Sequence, residues 1–187
     1  MPTPEQEEGP YYRELVMERA DVAEGRAGCP LELDIQVLDS FCMPVTGALV
    51  DIWQCDALGI YSWYAAAGEH DGVGPALLEP GTFLRGSQRA GVEGHSRFRT
   101  IYPGWYPGRA VHIHGKVRHA AGVLTVQLYF PEDVTDAVHR RSPYASRPRR
   151  DTMNDVDVIY REGGSSTLLG LTSDGNGYRA EATLVVG

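Results

Sequence analysis

Leu31, Leu33, Ile35 and Val37 alternate with Glu32, Asp34 and Gln36. A period of two is that of a strand with one buried face. Ala48 to Gln54 predicts a second strand, with Val50 and Ile52 on one face. Ser40 to Gly47, which contains Pro44 and Gly47, reads as a hairpin connection that makes the two strands antiparallel neighbours. Arg97 to Ile101 and Arg109 to Arg118 predict further strands, separated by Pro103, Gly104, Pro107 and Gly108, residues that interrupt a ladder. Val123 to Phe130 is apolar and β-prone, and Pro131 to His139 predicts one short helix. Thr167 to Leu171 and Tyr178 to Val186 predict closing strands joined by the turn Asp174-Gly175-Asn176-Gly177. Ala65 to Gly81 reads as a long surface loop, of the length that is often functional. Residues 1–30 are polar and turn-rich, with a turn of helix expected around Tyr12 to Ala20, and read as an arm laid over a single domain of residues 31–187. These patterns predict a mainly β fold, an antiparallel β-sandwich with a loop-rich periphery and at most one or two short helices.

Composition supports one domain. The chain has 187 residues, of which 42% are hydrophobic and 22% charged, and its 22 glycines and 12 prolines follow no period, so it turns often. A net charge of −8 argues against a broad electropositive footprint for nucleic acid. No run approaches the ~20 apolar residues of a membrane-spanning helix, so no membrane partner is expected. The acidic start MPTPEQEEGPYY lacks the basic and apolar regions of a secretory signal. Cys29, Cys42 and Cys55 are odd in number and form no C-x-x-C pair. A reduced cytoplasmic protein is the first reading. The alternative is a secreted chain, its export signal removed, with Cys42 and Cys55 bonded.

Candidate chemistry concentrates in FRTIYPGWYPGRAVHIH, Phe98 to His114. Strand periodicity puts His112, His114, Lys116 and Arg118 on one face, so both imidazoles point the same way. Such a pair is spaced for one metal ion, and equally for two hydrogen-bonded histidines. No Cys pair and no H-E-x-x-H accompanies it, and residues 115–118 supply no carboxylate to complete a two-histidine, one-carboxylate site. Tyrosine remains as an oxygen donor. Tyr106 lies in a Pro-Gly bend just before the histidine strand, and Tyr61 follows the second strand. A phenol of ordinary pKa ~10 ionises on a highly charged cation, so two phenolates with two imidazoles suit Fe(III).

The ordered runs WQCDALGIYS (Trp53 to Ser62), FLRGSQ (Phe83 to Gln88), FRTIYPGWYPGRAVHIH and TVQLYFPED (Thr125 to Asp133) resemble the intradiol ring-cleavage dioxygenases, the protocatechuate and catechol dioxygenase group. EGPYY (Glu8 to Tyr12) and SPYASRPRRDTMNDVDVIY (Ser142 to Tyr160) extend the resemblance over most of the chain. It implies non-haem Fe(III) held by Tyr61, Tyr106, His112 and His114. It also implies that Tyr106 is a displaceable ligand, that Arg109 is an active-site cation, that Gln127 lies beside the substrate, and that Pro10 and Tyr11 line the pocket. The implied substrates are a small aromatic diol and O2, and the product a cis,cis-muconate-type diacid. The long helical segment of the catechol-specific bacterial members has no counterpart here, so a homo-oligomer is an open expectation. A zinc-binding or non-catalytic sandwich that carries small aromatic ligands is the competing reading. Arg109 precedes His112 by an odd number of residues, so a regular strand would turn it to the opposite face; its role requires the Pro107-Gly108 bend to re-aim it.

Overall fold

The computed structural model describes residues 1–64 and 81–187; the long loop expected at Ala65 to Gly81 therefore lies almost wholly outside the described residues. Two four-stranded sheets pack face to face. One has the order β4 (His95–Ile101), β1 (Pro30–Leu38), β8 (Gly177–Val185), β7 (Gly170–Asp174), and the other β3 (Arg85–Arg89), β2 (Leu49–Trp53), β5 (His112–His119), β6 (Gly122–Tyr129). The alternating stripe of β1 faces inward as predicted: Leu31, Leu33, Ile35 and Val37 are buried with Phe98, Ala180 and Leu184 of their own sheet. Val50, Ile52, Ile113, Val117, Val126 and Leu128 meet them from the opposite sheet.

Four expectations need correction. β1 and β2 are not hairpin partners: β1 pairs with β4 and β8, β2 with β3 and β5. Period two marks one buried face on each strand but not the sheet it joins. Both stripes face the same core from opposite sides, and residues 39–48 carry the chain across, tied locally by Val45 N–H to the Val37 carbonyl at 3.0 Å. β1 and β8 run parallel, so the first sheet is mixed. The turn of helix expected at Tyr12 to Ala20 is extended instead, because its backbone completes the edges of both sheets: Ser87 N–H donates to the Met17 carbonyl (2.8 Å) and Arg99 N–H to the Ala20 carbonyl (2.7 Å). Finally, Thr167 ends a 3-10 turn and donates its hydroxyl to the Gln127 carbonyl at 2.7 Å, so the seventh strand starts only at Gly170. β3, read in the sequence only as part of a motif, is an added strand.

The helix expected at 131–139 is α1 (Glu132–His139), and a second short helix, α2 (Val158–Arg161), follows Asp157, whose carboxylate caps it. All three cysteines are free, Cys42 exposed and Cys55 buried, so no disulfide joins them. Among the described residues no helix is long and apolar enough to cross a membrane.

Candidate metal centre

The outer face of the second sheet is not bare. In register across β5 and β6, His112 lies opposite Tyr129 and His114 opposite Gln127, while Trp53 of β2 lies opposite His114. The N-terminal arm and the loops after β2 and β4 cover this face. The result is a second buried cluster of Tyr11, Trp53, Cys55, Tyr61, Tyr64 and Tyr106, separate from the sandwich core.

Inside it four of the singled-out side chains converge. His112 Nε2 lies 3.0 Å from His114 Nε2 and 3.1 Å from the Tyr106 hydroxyl. Tyr61 stands edge-on to Tyr106 with ring centroids 5.8 Å apart, and 6.2 Å from the His114 ring. The His112 Nδ1–H donates to the Ala110 carbonyl at 2.7 Å, which leaves the lone pair on Nε2. Trp53 stacks on His114 at 4.8 Å and holds its ring plane.

Burial lowers the pKa of both histidines, helped for His112 by the charge of Arg109 and for His114 by His112 itself, so both are neutral, the form that binds metals. Burial raises both phenols: Tyr61 is lifted further by Tyr106, whereas Arg109 partly opposes the rise at Tyr106. Among the described residues the buried Tyr61 hydroxyl and the His114 Nδ1 make no hydrogen bond of ordinary geometry, a cost folding does not normally leave standing. Adjacent ligands held at a right angle on one ion, at metal–nitrogen distances of about 2.1 Å, stand about 3.0 Å apart. Two neutral nitrogens at that spacing, a phenol beside them and a second phenol without a partner fit a hard cation. Among the described residues no group of three or more His, Cys, Asp or Glu converges, and the two phenols are the oxygen donors beside the imidazoles.

The Arg109 side chain turns to the histidine face. Its Nη2 donates to Gln127 Oε1 and, at 3.3 Å, to the Tyr129 hydroxyl, both on the histidine face, while its Nε donates to Asp157 Oδ2 at 2.9 Å. Gln127 is fully buried and oriented from the arm: its Nε2 donates to the Glu7 carbonyl at 2.9 Å, and its backbone N–H donates to Gln6 Oε1 at 2.8 Å. Tyr11 is buried and stacks on Tyr61 at 4.2 Å, while Pro10 is exposed and offers its carbonyl to the Tyr64 hydroxyl at 3.1 Å.

Sequence reasoning missed Asp157 and Gly9. Asp157 is buried, and its carboxylate also accepts the Ala110 N–H at 2.7 Å and the Ile159 and Tyr160 N–H groups at 2.9 and 3.0 Å. An Asp directly before Val158-Ile159-Tyr160 is a helix-cap signal, but nothing local reveals that it also grips Arg109. Gly9, at φ +70°, lets the arm approach His114: a Cβ there would lie 3.4 Å from His114 Cε1.

Fold and site together define a class. Residues 6–153 match the dioxygenase family model, and the chain belongs to that family. It is 34% identical over 135 residues to the protocatechuate 3,4-dioxygenase beta chain of Burkholderia cepacia, covering 66% of this chain and 55% of that relative. The chain thus spans about half the length of this curated relative. An intradiol ring-cleavage dioxygenase from Tetranychus urticae superposes with a TM-score of 0.92 at 29% identity, covering 100% of this chain and 94% of that one. The dioxygenase domain of a dioxygenase carbohydrate-binding protein fusion from Streptomyces sp. SirexAA-E superposes with a TM-score of 0.73 at 32% identity, covering 100% and 98%.

Proposed function

We propose that the chain is an intradiol ring-cleavage dioxygenase, opening a catechol-type ring between its two hydroxyls with O2 to give a cis,cis-muconate-type diacid. Non-haem Fe(III) would be held by Tyr61, Tyr106, His112 and His114. One observation carries the reading: the Tyr106 hydroxyl and the His112 and His114 Nε2 atoms gather within 3.0–3.1 Å contacts beside the unpartnered Tyr61 hydroxyl. When bound, the ferric ion supplies acidification of the catechol hydroxyls and a sink for ring electron density.

The chain's own residues do the rest. Neutral His112 and His114 offer lone pairs without first losing a proton. Tyr106 Oη would take a proton from a substrate hydroxyl, since its pKa, raised by burial, makes its phenolate a strong base. Tyr11, stacked flat on Tyr61, keeps that phenol oriented and dry. Arg109 is permanently charged, clamped by Asp157 and Gln127, and stabilises negative charge that develops on the ring by fixed electrostatics.

The test is substrate-dependent oxygen uptake across a panel of catechols, with product identification. A diacid is expected. A muconic semialdehyde would overturn intradiol opening, and a colourless zinc-loaded protein without oxygen uptake would favour the carrier.

A further inference from the structure

We propose that the chain carries a second, metal-independent site for a small, multiply charged oxyanion, built where α1 ends. Five of the chain's 17 basic side chains fall between Arg140 and Arg150, in a protein of net charge −8. Four of them, Arg140, Arg147, Arg149 and Arg150, line one cavity of about 300 Å3 with Trp105 and Tyr144. Asp136 also lines it.

The charges do not cancel. Arg150 is buried and spends its guanidinium on Glu132 and Asp136, the latter at 2.9 Å, and its buried Nε has no partner. That pairing engages both acids, and the Asp136 carboxylate also feels the charges of Arg149 and Arg140. Arg147 lies over the Trp105 ring, 4.3 Å from its centroid, and among the described residues donates only to the Trp105 carbonyl. Among the described residues Arg140 and Arg149 form no ion pair at all. Four arginines therefore line a concavity where two acids are engaged, and Arg140, Arg147 and Arg149 face it without an ion pair among the described residues. His139 adds none: burial lowers its pKa, and its ring lies stacked on Tyr144, with Nε2 at 3.1 Å from the Pro103 carbonyl. The guanidinium fork of Arg147, held over Trp105, and those of Arg140 and Arg149 beside it on the cavity lining match the paired oxygens of carboxylate or phosphate.

The shared ligand chemistry is an oxyanion with two or more negative charges. Its source is either a phosphate compound or a dicarboxylate, and the volume admits either. None of the four candidate metal donors lines this cavity, so the proposal stands whether or not the metal site turns over catechol.

Titration calorimetry of the purified protein with inorganic phosphate and, separately, with cis,cis-muconate tests it, using chloride at matched ionic strength as the control. Saturable one-to-one binding of at least one probe is expected, and which probe binds identifies the source. The double variant Arg140→Gln/Arg149→Gln, both positions exposed, should bind at least tenfold more weakly with an unchanged circular dichroism spectrum. The proposal fails if neither probe binds beyond the chloride response, or if the double variant binds as well as the parent chain.

Discussion

Arg109 and Asp157, 48 residues apart, meet side-on, Nε to Oδ2 at 2.9 Å, and the same carboxylate holds the Ala110 N–H at 2.7 Å. One acid therefore fixes both the cation and the entry to the histidine strand. Burial alone would raise the pKa of Asp157, but the Arg109 charge and the N–H donors of Tyr160 and Ala110 outweigh it, and the net shift is downward. A carboxyl whose folded pKa lies below its unfolded value of ~3.9 stabilises the fold above that value. The contribution is lost as pH falls through the folded pKa. Asp157→Asn should thus cost about 2–4 kcal/mol at pH 7, near the lower part of the range for breaking a buried pair because Arg109 remains 20% exposed. The deficit should shrink below pH 4. Urea unfolding at a series of pH values from 7 downward checks both; a deficit that stayed constant across the whole acid range in which the protein still folds would exclude the ion pair as its cause.

Arg109→Ala should keep its metal and visible colour while losing turnover by about 10²- to 10³-fold, the usual cost of removing one preorganised electrostatic stabiliser. Arg109→Lys should recover little, because a point charge cannot engage Asp157 and Gln127 together. Metal content and kcat, measured on the same preparations, separate the roles. Loss of metal in step with activity would make Arg109 structural.

The four donors are predicted to act as a set. His112→Ala and Tyr61→Phe should each lower bound iron and abolish or shift the tyrosinate charge-transfer band. Iron content and band unchanged in both variants would remove them from the centre. Tyr61→Phe deletes a hydroxyl that has no hydrogen-bond partner, so without metal it should not destabilise the fold.

The sequence shows this site better than it shows the fold. Period two alone aligned His112 with His114, since a strand face is a local property, whereas Arg109 came from the family resemblance, because a regular strand would have turned it to the opposite face. Sheet membership is not local: the inward stripes of β1 and β2 read alike although they belong to opposite sheets. The arm's extended path depends on edge groups of Ser87 and Arg99 far along the chain. Asp157 eluded the reading for the same reason, because its partner lies in another loop.

A thiol reagent should modify one cysteine in the native protein and three after denaturation, since all three are free and only Cys42 is exposed. Burial also raises the pKa of the Cys55 thiol, further slowing its reaction. A denatured count of one would reinstate the disulfide.

The loops that carry Tyr61 and Tyr106 touch through backbone, and Gly104 is where they meet. Its N–H donates to the Asp56 carbonyl at 3.0 Å, and a Cβ there would lie 2.5 Å from the Ala57 carbonyl oxygen and 2.6 Å from that of Asp56. Neither atom is the end of a flexible side chain, so relief requires the loops to part. Gly104→Ala should therefore cost about 1–3 kcal/mol, the range for overpacking. It should also lower metal occupancy, because the two phenols stand on opposite sides of the contact. Gly122→Ala is the control: nothing lies within 4 Å of a Cβ there, and a change within about 0.5 kcal/mol is expected. Thermal unfolding and metal analysis on both variants decide it. If Gly104→Ala matched Gly122→Ala in stability and metal content, the contact between the loops would not be what holds the two tyrosines together.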